Sequence, residues 1–180
     1  MAKAKAASAK QSATSHIAII KDRISASVRP GETGLEGKAL QEVAAYLLDA
    51  AQHRDDGKPS ILISATTGGK RVTRIAVVNR DVPFLVDSIS RAIAAQGLTV
   101  DFLAHPVLPV RRDANWDLAD LPVGEGSGEK RESFIYIETD RIDAKQRRAL
   151  EAELALAIAD VRAAVADWPK MRDLISADAD

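Results

Sequence analysis

The 180-residue sequence contains no cysteine, which removes disulfides, thiolate metal sites and a cysteine nucleophile together. It has no surplus of either charge: the formal net charge of -1 argues against a general nucleic-acid binder, which would carry a basic excess. No apolar run approaches the roughly 18 residues that a membrane span needs. Neither G-x-S-x-G nor G-x-G-x-x-G occurs, so a nucleophile elbow and a dinucleotide-binding turn have no support. The triplet Gly68-Gly69-Lys70 lacks the spacing of a phosphate-binding loop, and a strand follows where a helix should open. The three histidines, His16, His53 and His105, lie far apart and show no metal-ligand spacing. Carboxylates are plentiful, but no pair is fixed by spacing for acid/base work.

What remains is a chain able to build a core, with 46% hydrophobic residues. Residues 1–13 read as a disordered tail with Lys3, Lys5 and Lys10, and residues 14–58 as a pair of helices. Ile17, Ile20, Ile24 and Val28 form a narrow stripe on the first helix, which Arg29-Pro30-Gly31 ends. Leu40, Val43, Leu47 and Ala51 form the stripe on the second, and Asp55-Asp56-Gly57-Lys58-Pro59 breaks the chain after it.

Residues 59–169 read as the main domain. A strand at 60–66 and another at 71–79 flank a Gly-Gly turn and make a hairpin. Asp81 can cap the next helix, Pro83 falls in its first turn, and Gly97 stops it. A third strand at 99–110 contains Pro106 and Pro109, which places it at a sheet edge because proline donates no ladder bond. Residues 113–131 form a glycine-rich loop. The strand at 132–139, with Phe134-Ile135-Tyr136-Ile137, belongs in the centre. Asp143 and Gln146 have capping-box spacing, and Leu150, Leu154, Ala157, Val161 and Val165 mark a last helix that Pro169 closes. Residues 170–180 read as a linker or frayed end.

The order predicts an α+β fold: a four-stranded ferredoxin-like sheet, antiparallel or mixed, in permuted ββαββα form. Two helices lie on one face, and the hairpin strand takes the place of the missing fourth strand. Both central strands, 71–79 and 132–139, are apolar on both sides. Something must therefore cover the second face: the N-terminal helix pair, a second copy, or another domain. An RNA-binding use of that face would need aromatic platforms on both central strands, and 71–79 has none. The turn Asn79-Arg80-Asp81 is the best candidate ligand contact, since it joins a central strand to a helix N-terminus that favours anions. Arg80 could pair a carboxylate and Asp81 hold an ammonium.

The run Asn79-Arg80-Asp81-Val82-Pro83-Phe84-Leu85-Val86-Asp87-Ser88 is followed by His105-Pro106-Val107, Arg112-Asp113 and Glu132-Ser133. This pattern resembles the N-terminal region of the large bacterial NAD-dependent glutamate dehydrogenases, over roughly residues 60–168. The resemblance implies an ACT-like domain whose parent enzyme converts L-glutamate to 2-oxoglutarate with NAD in the cytoplasm. It also implies that the catalytic and NAD-binding parts lie elsewhere, so this chain holds no cofactor and acts as a regulatory or assembly domain. ACT-like domains bind amino-acid effectors or pair through the sheet face with other domains or subunits. The implied motif positions are Pro83, Phe84, Leu85, Val86, Asp87, Ser88, His105, Pro106, Arg112, Asp113, Glu132 and Ser133.

Overall fold

The two strands that are apolar on both sides do lie at the centre of the sheet. A computed structural model of the chain describes residues 2–27, 34–66, 71–123 and 130–177. Its strands are β1 (Ser60–Ala65), β2 (Thr73–Arg80), β3 (Val100–Ala104), β4 (Val107–Arg112), β5 (Leu118–Asp120) and β6 (Lys130–Thr139). Its helices are α1 (Ala2–Ser27), α2 (Gly37–Ala51), α3 (Leu85–Ala95) and α4 (Ala144–Ala177). The sheet runs β1-β2-β6-β4-β5, with β3 also paired to β6, and all these pairings are antiparallel.

Six described strands replace the expected four for two reasons. The third strand breaks at His105-Pro106 into β3 and β4, both of which pair with β6. Part of the stretch expected to be loop instead adds β5, which meets β4 only at Arg111 and Arg112. Pro109 pairs with Arg131 on β6, and among the described residues no strand pairs with its other side, as an edge position allows. The Gly-Gly turn between β1 and β2 and the glycine-rich part of the loop lie outside the described residues.

Alternation along β2 and β6 divides the interior in two. Ile75, Val77, Ile135 and Ile137 face α3 and α4, where they pack with Leu85, Ile89, Ile93, Leu150, Leu154 and Ile158. Ala76, Val78, Phe134 and Tyr136 face α2 and pack with Val43, Ala44, Leu47 and Leu48. Helix α1 lies outside α2 and adds Ile20 and Ile24, both fully buried. The N-terminal helix pair is therefore the cover of the second face. It leaves Phe134 and Tyr136 no exposure for stacking nucleobases, and a partner on that side would meet α1 and α2, not bare sheet. Tyr46 on α2 stacks edge-on to Tyr136 with centroids 6.2 Å apart, and its hydroxyl donates to the Leu62 carbonyl at 3.0 Å.

Several local expectations change. Helical backbone of α1 runs through the stretch expected to be a disordered tail. Helix α4 passes Pro169 and continues to Ala177, since a proline in a helix forfeits one backbone bond without always ending it. Asp81 does not cap α3: the residue before that helix is Phe84, which makes no side-chain capping bond. The capping box is present as expected, with Gln146 N–H donating to Asp143 Oδ1 at 2.8 Å and Asp143 N–H donating to Gln146 Oε1 at 3.1 Å. Among the described residues no helix is long and apolar enough to cross a membrane.

Leu47 is fully buried between α2 and the sheet. Leu47→Ala should destabilise the chain by about 2–5 kcal/mol, read as a lower urea midpoint. A cost below about 1 kcal/mol would mean that α2 is not docked on the sheet as described.

Candidate functional site

Glu132 and Ser133 are neighbours at the start of β6, so their side chains leave opposite faces of the sheet. Each becomes the centre of a polar network, buried around Glu132 and reaching the surface at Asp81 around Ser133.

On the α2 side, Glu132 receives two guanidinium groups. Arg112 donates as a fork, from Nε to Oε1 at 2.9 Å and from Nη2 to Oε2 at 2.7 Å. Arg54 donates to Oε1 from Nε at 3.1 Å and from Nη2 at 2.8 Å. The remaining donors close the ends of neighbouring elements. Arg112 Nη1 reaches the carbonyls of Ala51 at 3.1 Å and Trp116 at 2.9 Å, and Arg54 Nη1 reaches that of Lys58 at 2.9 Å. Ala51 is the last residue of α2, where a cation also suits the helix dipole. All three side chains of the triad are about 95% buried. Burial pushes the Glu132 carboxyl pKa up, but Arg112 and Arg54 outweigh it and hold the group below its ordinary range.

On the α3 side, Ser133 links His105 to Asp81. The Ser133 hydroxyl lies 2.7 Å from Asp81 Oδ1 and 3.0 Å from His105 Nε2. An ionised carboxylate only accepts, so the serine proton goes to Asp81 and the serine oxygen accepts from His105 Nε2–H. That direction is the reverse of a histidine base activating a serine, and Ser133 is fully buried. Burial lowers the His105 pKa, against a smaller opposing pull from Asp81, so the ring favours its neutral form.

The motif positions otherwise divide between structure and surface. Asn79 is fully buried, and its amide donates to the Arg80 carbonyl at 2.9 Å. Its Oδ1 is buried with no hydrogen-bond partner among the described residues. Arg80 is exposed at the end of β2, so of the Asn79–Asp81 turn only Arg80 has its side chain committed to no described partner. Pro106 is buried, and its carbonyl accepts the Phe134 N–H at 2.9 Å. Leu85 and Val86 pack in the α3 core, Asp87 is exposed, and Ser88 N–H bonds the Phe84 carbonyl at 3.0 Å. Asp113 shapes the β4–β5 turn by accepting the N–H groups of Asn115 and Asp117 at 2.8 and 3.0 Å.

Pro83 and Phe84 differ from the rest. Phe84 is 72% exposed and sits at φ +64°, a left-handed conformation that costs a residue with a Cβ about 1–2 kcal/mol. It lies at one wall of an apolar groove of about 830 Å³, with Pro83, Val161, Val165 and Trp168. Trp168 is 60% exposed. The α4 stripe supplies the other wall: Leu150, Leu154 and Ile158 are buried against the sheet, while Val161, Val165 and Trp168 continue the stripe into the groove.

Arg54 and Trp116 complete the Glu132 site and were not singled out from the sequence. Arg54 stands among charged residues at a chain break, and nothing in its neighbours marks it as buried. The available signal was Glu132 itself, a carboxylate beginning an apolar central strand and therefore in need of cations.

The family model described as "Glutamate dehydrogenase, ACT1 domain" matches residues 33–154. The NAD-specific glutamate dehydrogenase of Pseudomonas aeruginosa is 38% identical over 103 residues, which are 56% of this chain and 6% of that protein. The enzyme of the same name from Halomonas elongata is 39% identical over 103 residues, again 56% of this chain and 6% of the relative. The chain thus spans only a small part of the relatives it matches. No solved structure matches it significantly. The matched range includes α2, so the family segment reaches upstream of the span read as the main domain.

Two measurements test these networks. Glu132→Gln should cost about 3–5 kcal/mol, because it leaves two buried guanidinium groups short of charge compensation. Since the Glu132 pKa is depressed on folding, its stabilisation is complete above the ordinary value of 4.5 and is lost as pH falls through the lower folded value. The wild-type urea midpoint should drop across that acid range, and the variant should drop less.

His105 adds a second window. Its folded pKa lies below 6.5, so the unfolded chain takes the proton first and stability falls as pH drops from about 6.5 toward the folded value. His105→Gln retains a donor for Ser133 but does not titrate, so it should raise the midpoint at pH 5.5 relative to that at pH 7.5, values spanning the ordinary histidine range. An unchanged slope would remove His105 as its source.

Proposed function

The chain belongs to the glutamate dehydrogenase ACT1 domain family, and from that premise we propose that it is a regulatory or assembly domain of an NAD-specific glutamate dehydrogenase. The whole enzyme would oxidise L-glutamate to 2-oxoglutarate and ammonia, passing hydride to NAD held by other domains. The domain itself is non-catalytic on this reading, because the polar motif side chains Asp81, Arg112, Glu132 and Ser133 are spent on internal hydrogen bonds. Family membership also supports viewing β1-β2-β6-β3 as the permuted ferredoxin-like, ACT-like sheet, with β1 in the place of its fourth strand. A cytoplasmic location goes with the metabolic role.

One observation carries the assembly half: the groove around Phe84 and Trp168. A phenylalanine held in a left-handed conformation and 72% exposed adds little to this chain's own core. The α4 stripe that faces it runs beyond the sheet that buries its first half. Another domain or subunit of the same enzyme is the occupant that family membership supports. Arg80 carries the regulatory half, as a cation at the end of a central strand. The expected effector contact narrows to it, because Asn79 and Asp81 are engaged internally.

The groove is tested with the Pseudomonas aeruginosa dehydrogenase lacking its matching segment. The wild-type chain should co-sediment with that remainder, and a Phe84→Gly, Trp168→Ala double variant should not. Phe84→Gly relieves the left-handed strain, so the variant's stability should stay within about 1 kcal/mol of wild type. Equal association by both chains would sink the assembly reading. Glutamate-dependent NAD reduction by the chain alone would overturn the non-catalytic one.

A further inference from the structure

At the end of the sheet where β2 finishes and β6 begins, cations converge without matching carboxylates. A hollow of about 50 Å³ is lined by Arg54, Arg80, Lys130, Arg131 and Arg162, with Gly57 and Trp116. Its acids are Asp56 and Glu132. Glu132 is already neutralised by Arg54 and Arg112, which leaves Asp56 against four cations. Among the described residues Arg80, Lys130, Arg131 and Arg162 make no ion pair, while exposed acids elsewhere, such as Asp55 with Lys58, do. The chain as a whole is slightly acidic, so this is a local concentration of charge and not a general basic surface.

Two further features mark the hollow as shaped. Gly57 has φ +71°, and a Cβ there would stand 3.3 Å from Arg162 Nη2, so the missing side chain lets the α4 guanidinium lie against the α2–β1 loop. Trp116, itself at φ +64°, has the Arg54 guanidinium 5.3 Å and the Lys130 ammonium 5.4 Å from its ring centre. Trp116, Lys130 and Glu132 also line a larger open cleft of about 430 Å³ along the β4–β5 turn. At about 30 Å³ per water the small hollow holds one or two waters, the scale of a single phosphoryl group, and the cleft has room for the body of a metabolite.

We infer that this end of the sheet binds a phosphorylated small molecule, with the phosphoryl group among Arg80, Lys130, Arg131 and Arg162 and the organic part in the cleft beside Trp116. Arginine forks match phosphoryl oxygens two at a time, and a dianion satisfies several of the unpaired cations at once. The site deepens the regulatory reading and rests on it only for its biological consequence; binding itself stands on the geometry.

The test uses the 180-residue chain carrying Trp168→Phe, so that Trp116 is the remaining tryptophan and reports on the site. Pyrophosphate, inorganic phosphate and the tricarboxylate tricarballylate are titrated at fixed ionic strength while Trp116 fluorescence is followed. Pyrophosphate should give a saturable change and bind more tightly than tricarballylate. Arg162→Ala and Arg80→Gln should each weaken it about tenfold or more, as loss of a charge-assisted contact does. Arg91→Gln, on α3 and outside both cavities, should leave it unchanged. The inference is overturned by no saturable signal, by affinity indifferent to both Arg80 and Arg162, or by tighter tricarballylate binding, which would make the ligand a polycarboxylate. None of these results bears on the groove, since co-sedimentation through Phe84 and Trp168 involves none of the residues lining the hollow.

Discussion

The Arg54–Glu132–Arg112 triad is the constraint on which the other parts of this molecule depend. One carboxylate accepts four N–H donors, and the spare donors of its two partners hold the last carbonyl of α2, the β4–β5 turn and the loop into β1. Two segments far apart in the chain, 51–58 and 112–116, thus meet at the start of β6. A buried ion cluster of this kind is a weak source of net stability, because desolvation offsets most of the Coulomb gain. Its effect is on geometry. An apolar replacement could fill the space, but it would not require α2 to end at this position over the sheet, nor the β4–β5 turn to fold against it.

That role explains why adjacent motif residues look so different once placed. Glu132 and Ser133 follow one another on β6, yet the pleat sends one toward α2 and the other toward α3. Glu132 fixes the α2 layer. Ser133 joins the β3–β4 break, through His105, to the turn after β2, through Asp81. The short Glu-Ser pair therefore locks both layers at the same end of the sheet. His105-Pro106 belongs to the same arrangement: the chain breaks there between β3 and β4, the histidine bonds Ser133, and the Pro106 carbonyl accepts from Phe134.

Much of the fold was legible in the residues because its signals are periodic and local. The doubly apolar strands, the stripe of α2, the capping box at Asp143 and the hairpin of β1 with β2 all depend on neighbours within a few positions. What was not legible depends on distance. Asp81 has the residue type and position of a helix cap, but a serine 52 positions away offers it a short hydrogen bond, and the polypeptide reaches α3 through Phe84 instead. Arg54 carries no local mark of burial; only its distant partner explains it. Pro169 looked terminal because proline disfavours helix, yet an established helix tolerates the loss of a single bond. The cover of the second sheet face could be argued to exist from the strands alone, but choosing α1 and α2 over a second copy required tertiary structure.

The placement of the cation hollow gives these local facts a common consequence. It is lined by the α2–β1 loop, the end of β2, the start of β6 and α4, which are drawn from both helical layers and the sheet between them. It also borders the buried triad, since Arg54 and Glu132 belong to both. An anion drawn to Arg80, Lys130 and Arg162 would therefore act on α4 directly and on α2 through Arg54. Helix α4 is also the element that carries Val161, Val165 and Trp168 into the groove opposite Phe84. Arg162 is next to Val161 on that helix, so a ligand that shifted α4 through Arg162 would also move one wall of the groove. Coupling between the two sites needs differential affinity for two positions of α4, and one continuous helix shared by both is the shortest physical route to it.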